Sequence, residues 1–183
     1  LAVVLTNMGK LTHDFGKPEK ALAMLDEAER LSRELGYRDE VNLVLMNKAT
    51  MLANHGRTED ACLLLLQAEN SSRQLGDREG LAASLALQAQ IYYRGAQPDR
   101  ALDYCKQAED LYRQLGYKGE MSKMLGVHAN ILNELGGKDK ALGMHKHEEE
   151  IYRELGDLHS LAVCLKDQEI GRASCRARVC SVV

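Results

Sequence analysis

The stretch PEKALAMLDEAERLSRELG, residues 18–36, decides the fold, because it returns three more times at a fixed step. It reads TEDACLLLLQAENSSRQLG at 58–76, PDRALDYCKQAEDLYRQLG at 98–116 and KDKALGMHKHEEEIYRELG at 138–156. The step is 40 residues, with no insertion or deletion. In the first copy Ala21, Leu22, Leu25, Ala28, Leu31 and Leu35 recur at helical spacing and define one apolar face. Glu19, Lys20, Asp26, Glu27, Arg30 and Arg33 occupy the other face. The glycine after the last leucine (Gly36, Gly76, Gly116, Gly156) is the residue expected to close a helix in the left-handed conformation.

Working outward, the segment before each copy keeps the same register. Leu5, Leu45, Leu85, Leu125 and Leu165 form one column, and Gly9, Ala49, Ala89 and Ala129 form another. Each unit therefore reads as two helices. First helices are expected near 1–15, 38–55, 78–94 and 118–135, with second helices near 18–35, 58–75, 98–115 and 138–155. Pro18 and Pro98 stand where a second helix begins, a position that tolerates a missing N–H. Asp77 and Asp157 follow closing glycines and can cap the next helix. Small residues at 9, 49, 89 and 129, and alanines at 21, 61, 101 and 141, mark points where two helices approach closely. The column Glu29, Glu69, Glu109 and Glu149 stands four residues before Arg33, Arg73, Arg113 and Arg153. That is the favourable order for ion pairs within one helix, each worth a few tenths of a kcal/mol.

Composition agrees with an all-helical chain: 183 residues with two prolines, no Trp and 4% aromatics. No apolar run approaches the roughly 20 residues of a membrane span. A formal net charge of −3 argues against nucleic acid as a partner. The five cysteines are an odd set without a C-x-x-C pair, which fits reduced thiols in a cytoplasmic protein. Leu1 already lies inside the periodic pattern, so the chain is expected to be a piece of a longer protein.

The pattern of Leu5, Gly9, Ala21 and Ala28, repeated as Leu45, Ala49, Ala61 and Ala68, resembles the tetratricopeptide repeat. The units are longer than the usual length of about 34 residues. Arg33, Arg73, Arg113 and Arg153 stand where that family commonly has proline. The ALxxxxxAExxxRxLG wording looks like the 40-residue variants of bacterial signalling and nucleotide-switch proteins. The resemblance covers residues 1–168, four units and half of a fifth. It implies an all-α, right-handed α-solenoid of antiparallel helix pairs, and a protein or peptide partner on the concave side. It implies no cofactor and no catalysis.

In that arrangement first helices line the concave surface. The inner stretches 1–13, 41–54, 81–93 and 121–133 contain Lys10, Lys48 and Lys123 but no carboxylate. Placing the sequence on the family pattern turns Thr6, Asn7, Lys10, His13, Met46, Asn47, Thr50, Gln90, Tyr93, Asn130 and Asn133 toward the groove. Amides and hydroxyls suit an extended peptide backbone, and Met46 and Tyr93 offer adaptable apolar contacts. Met46, Ala86 and Gly126 stand where the family's carboxylate clamp has polar or basic groups, which disfavours capture of a chaperone C-terminal tail. The other reading is a structural spacer or self-association array with no groove ligand.

Chemistry is sparse. No G-x-S-x-G elbow, phosphate loop or H-E-x-x-H motif occurs. His145 and His147 are two residues apart and face different ways on a helix. His145 falls in the column of Leu25, Leu65 and Cys105, which points to packing. Glu148, Glu149 and Glu150 read as a solvated outer face. No metal or catalytic residue is expected.

Residues 169–183, EIGRASCRARVCSVV, leave the pattern: Glu169 and Gly171 replace the small and apolar residues seen at Ala129 and Ile131. From 170 onward there are three arginines and no acid, so without them the net charge of −3 would become −6. The wording resembles the translated read-through of a sequencing adapter. The alternative is a short, natural, disordered basic tail.

Overall fold

The computed structural model describes the backbone of residues 1–180 and the side chains of residues 1–169; the expectations for the tail beyond these lie outside the described residues. Helices fill the repeat as the periodicity requires: α1 (Ala2–Asp14), α2 (Pro18–Glu34), α3 (Arg38–Asn54), α4 (Thr58–Leu75), α5 (Arg78–Arg94), α6 (Pro98–Leu115), α7 (Lys118–Glu134), α8 (Lys138–Leu155) and α9 (Leu158–Cys180). Pro18 and Pro98 occupy first-turn positions. Asp77 caps α5 by accepting from the Gly80 N–H at 2.9 Å, and Asp157 accepts from the Ser160 N–H at 3.0 Å. Among the described residues no helix is long and apolar enough to cross a membrane.

The chain divides into two compact units, Leu1–Ala96 and Gln97–Val183. In the first, α1 packs on α2 and α3 on α4, while α3 also touches both α1 and α5. First helices thus stack directly on one another and form the tighter layer. Ala21, Ala28, Ala49, Ala61, Ala68 and Ala89 are fully buried, as their close-approach role demands. A Cβ added to Gly9 would meet the Leu25 side chain at 3.1 Å and the Ala21 carbonyl oxygen at 3.3 Å. In the second unit α6 packs on α7, α7 on α8 and α8 on α9. Ala101, Cys105, Ala108, Leu125, Ala129 and Ile131 form its interior.

One column departs from the sequence reading, and one helix end departs from the repeat. Helical spacing places Leu35 on the apolar face, yet it is 61% exposed, and Leu75 and Leu155 are exposed too. The last helical turn swings this column outward, and the column three residues earlier (Ser32, Ser72, Tyr112, Tyr152) is buried instead. The end of α5 is the place where the repeat itself is broken. Gly16, Gly56 and Gly136 close first helices at φ of 72°, 77° and 87°, but the equivalent position is Ala96, held at φ 54°. Gly95 beside it has an ordinary φ of −81°.

Candidate functional site

The first helices of the Leu1–Ala96 unit carry registered columns of polar side chains. Lys10, Thr50 and Gln90 are one repeat apart, as are Asn7 and Asn47. Arg94 donates to the Asn54 side-chain oxygen at 3.0 Å, also one repeat apart, so equivalent positions on α3 and α5 are neighbours in space. His13 and His55 meet edge to face, with ring centroids 5.7 Å apart. Asn7, Lys10 and Thr50 are exposed, while His13, Met46, Asn47, Gln90 and Tyr93 are half-buried. Asn130 and Asn133 are half-buried on α7 of the other unit.

Two members of the expected set behave differently. Thr6 is 1% exposed; its hydroxyl donates to the Ala2 carbonyl and lies 3.2 Å from a Glu40 carboxylate oxygen, so it is packed rather than presented. Lys48, one of the lysines credited to the inner surface, turns away to Asp26 at 2.7 Å and Glu29 at 2.8 Å on α2. Burial alone would lower its pKa, but the two carboxylates outweigh it and hold the ammonium above its ordinary value. For Glu29, burial pulls upward, and the bonds from Lys48 and Arg33 win, holding the carboxyl below the usual range.

That contact belongs to a series invisible as a sequence motif. Each glutamate of the repeated column accepts from a residue 19 positions on, in the first helix of the next repeat. Glu29 accepts from Lys48 and Glu69 from Gln88, both at 2.8 Å. Glu109 faces His128 Nδ1 at 3.2 Å, and Glu149 accepts from Gln168 at 2.8 Å. The other carboxylate oxygen pairs with the arginine of its own helix, at 2.8 Å for Arg33, 2.9 Å for Arg73, and 2.6 Å for Arg113 and Arg153. The column is a staple between repeats as well as an intrahelical pair. Charge-assisted bonds shielded from water are worth more than exposed pairs.

One slot in the second unit differs in chemistry. Where the first repeat buries Leu25, Ala28 and Val44, the fourth buries His145, Glu148 and Cys164. His145 Nδ1 lies 2.9 Å from Glu148 Oε2, and the Cys164 thiol donates to the His145 carbonyl at 3.5 Å. Glu148 is 7% exposed, not part of a solvated face. Its space comes from Gly126, where a Cβ would sit 2.6 Å from Glu148 Oε1. The missed signal was the column: position 148 is alanine in the three preceding repeats (Ala28, Ala68, Ala108). Burial, with the Glu148 charge beside it, pushes the Cys164 thiol up to about 12; burial and Glu109 do the same to Cys105. Neither thiol is a nucleophile at neutral pH.

No family model matches the chain, and no curated protein sequence matches it. Solved structures do. Aspartyl phosphate phosphatase F from Bacillus subtilis superposes with a TM-score of 0.87 at 16% identity, over 93% of this chain and 45% of that one. A Rap protein in complex with competence and sporulation factor gives 0.77 at 16% identity, over 93% and 53%. A STAND signal-transduction ATPase with a tetratricopeptide repeat sensor, from Pyrococcus horikoshii, gives 0.81 at 13% identity, over 93% and 26%. The chain spans about half or less of each of these three proteins. At such identities the likeness concerns the fold, which is that of a tetratricopeptide-like helical-repeat solenoid.

Proposed function

We propose that the chain is a non-enzymatic protein-interaction module that binds a peptide, or an extended segment of a protein, across its first helices, as a scaffold or sensor segment of a larger cytoplasmic signalling protein. The observation that carries the reading is the registered polar surface of α1, α3 and α5 in the Leu1–Ala96 unit, whose inner stretches 1–13, 41–54 and 81–93 hold no carboxylate. There Asn7, Lys10, Thr50 and Gln90 offer donors and acceptors at one-repeat intervals. Side chains so spaced can follow an extended backbone, and half-buried Met46 adds apolar area. The Rap protein complexed with competence and sporulation factor supports the reading, because it shows a protein of this fold in complex with a second molecule.

A peptide library displayed against the chain tests this. Selected peptides should lose binding to Asn7→Ala/Thr50→Ala/Gln90→Ala and keep it with Lys20→Ala/Lys140→Ala on the second helices. Retained binding by the first variant would refute the surface. A self-association reading has its own support: Val3, Val4, Met8 and Leu11 are exposed along α1, and Phe15 just beyond its end. Sedimentation of Leu11→Lys beside the parent tests it: self-association through that face should be lost in the variant, and an unchanged oligomeric state would refute it.

A further inference from the structure

We propose that His145, Glu148 and Cys164 form a binding site for one divalent cation of the zinc class, in the slot between α8 and α9. Three repeats set the background. The same three positions are Leu25, Ala28 and Val44, then Leu65, Ala68 and Ser84, then Cys105, Ala108 and Met124. Only in the fourth are all three metal-ligating types, supplying nitrogen, oxygen and sulfur. Among the described residues their ligand atoms lie within 4.8 Å of one another, and all three residues are buried.

Gly126 adds an independent observation. The position is Thr6, Met46 and Ala86 in the other repeats, and any side chain there would collide with the Glu148 carboxylate. A carboxylate has thus been given room beside an imidazole and a thiol, in a slot that elsewhere holds small or apolar uncharged side chains. Burying it is unfavourable without a cation or a proton to balance the charge.

The distances suit a metal ion. A tetrahedral zinc with bonds of about 2.0–2.3 Å sets its ligand atoms roughly 3.3–3.6 Å apart. The 2.9 Å separation of Nδ1 and Oε2 therefore opens slightly, and the imidazole binds through Nδ1 as the tautomer protonated at Nε2, any proton between Nδ1 and Oε2 moving to Nε2 or to solvent. The widest separation has to close by roughly one ångström. The thiol proton leaves to solvent on binding, and the Gln168 amide, 3.6 Å from Cys164 Sγ, donates to the resulting thiolate. Three protein ligands leave the fourth position to water.

Cobalt(II) is the probe, titrated into the full chain both as the native protein and during refolding from urea. One equivalent should produce a sulfur-to-cobalt charge-transfer band with the strong visible bands of a tetrahedral site, and zinc should displace it. Cys164→Ser should abolish the charge-transfer band. Gly126→Ala/His145→Leu/Glu148→Ala restores residues that stand at these columns in other repeats (Ala86, Leu65, Ala68), so the variant keeps an uncharged packing solution the fold already uses. It should weaken zinc binding by at least about 100-fold and remove the zinc-dependent rise in melting temperature. No charge-transfer band in the parent, a band that survives Cys164→Ser, or an undiminished zinc effect in the rebuilt variant would each overturn the proposal.

Discussion

Replacing Gln88 with leucine tests whether the repeated glutamates act between repeats or only along their own helix. The Gln88 residue is 1% exposed, and its amide donates to Glu69 Oε2 at 2.8 Å. The Glu69 side chain is 11% exposed, and its other oxygen is held by Arg73, which is half exposed. Leucine keeps much of the volume but leaves one carboxylate oxygen without its donor. A hydrogen bond to a charged group contributes about 1.5–3 kcal/mol, so Gln88→Leu should lower stability by that amount. Arg73→Ala removes the intrahelical arm, where water can substitute, and should cost about 0.5 kcal/mol or less. The double variant Glu69→Ala/Gln88→Leu should recover much of the Gln88→Leu loss, because no charged group is then stranded. Urea unfolding followed by circular dichroism measures the ordering, and hydrogen exchange of α4 and α5 localises it. If Arg73→Ala proved as damaging as Gln88→Leu, the inter-repeat staple would be decorative and the reasoning wrong.

Other outcomes follow from single features. Ala96→Gly should raise stability by about 1–2 kcal/mol, since the alanine is held at φ 54°, a conformation unfavourable for any residue with a Cβ; a thermal melt reads it directly. Ala101→Leu should destabilise by about 1–3 kcal/mol, as position 101 is fully buried, whereas leucine at exposed position 96 should cost far less. The Glu29 carboxyl is held below its unfolded value, so its contribution is present above the unfolded carboxylate pKa of about 4.3. It is lost as the pH falls through the folded value. Lys48→Met should therefore flatten the acid limb of a stability–pH curve. Cys105 and Cys164 should stay unmodified by a thiol reagent at pH 8 in the native protein and react in urea, as peptide mapping would show.

The architecture was legible because helix periodicity, a 40-residue step and fixed small-residue columns are properties of the chain alone. Helix positions, the caps at Asp77 and Asp157, and the buried alanines at 21, 61 and 101 all follow from local spacing, and local spacing is what a sequence displays. Pairings across helices are different. Glu29–Lys48, Glu69–Gln88, Glu109–His128 and Glu149–Gln168 share a separation of 19 but use three kinds of donor, so no residue pattern announces them. Burial of Glu148 was hidden by the acidic run that surrounds it, although its column of alanines held the clue. Thr6 reads as a groove residue by phase, yet neighbouring α3 covers it through Glu40. A sequence fixes which face of a helix a residue occupies. What lies against that face depends on how closely the next helix approaches, and only the packed structure determines that distance.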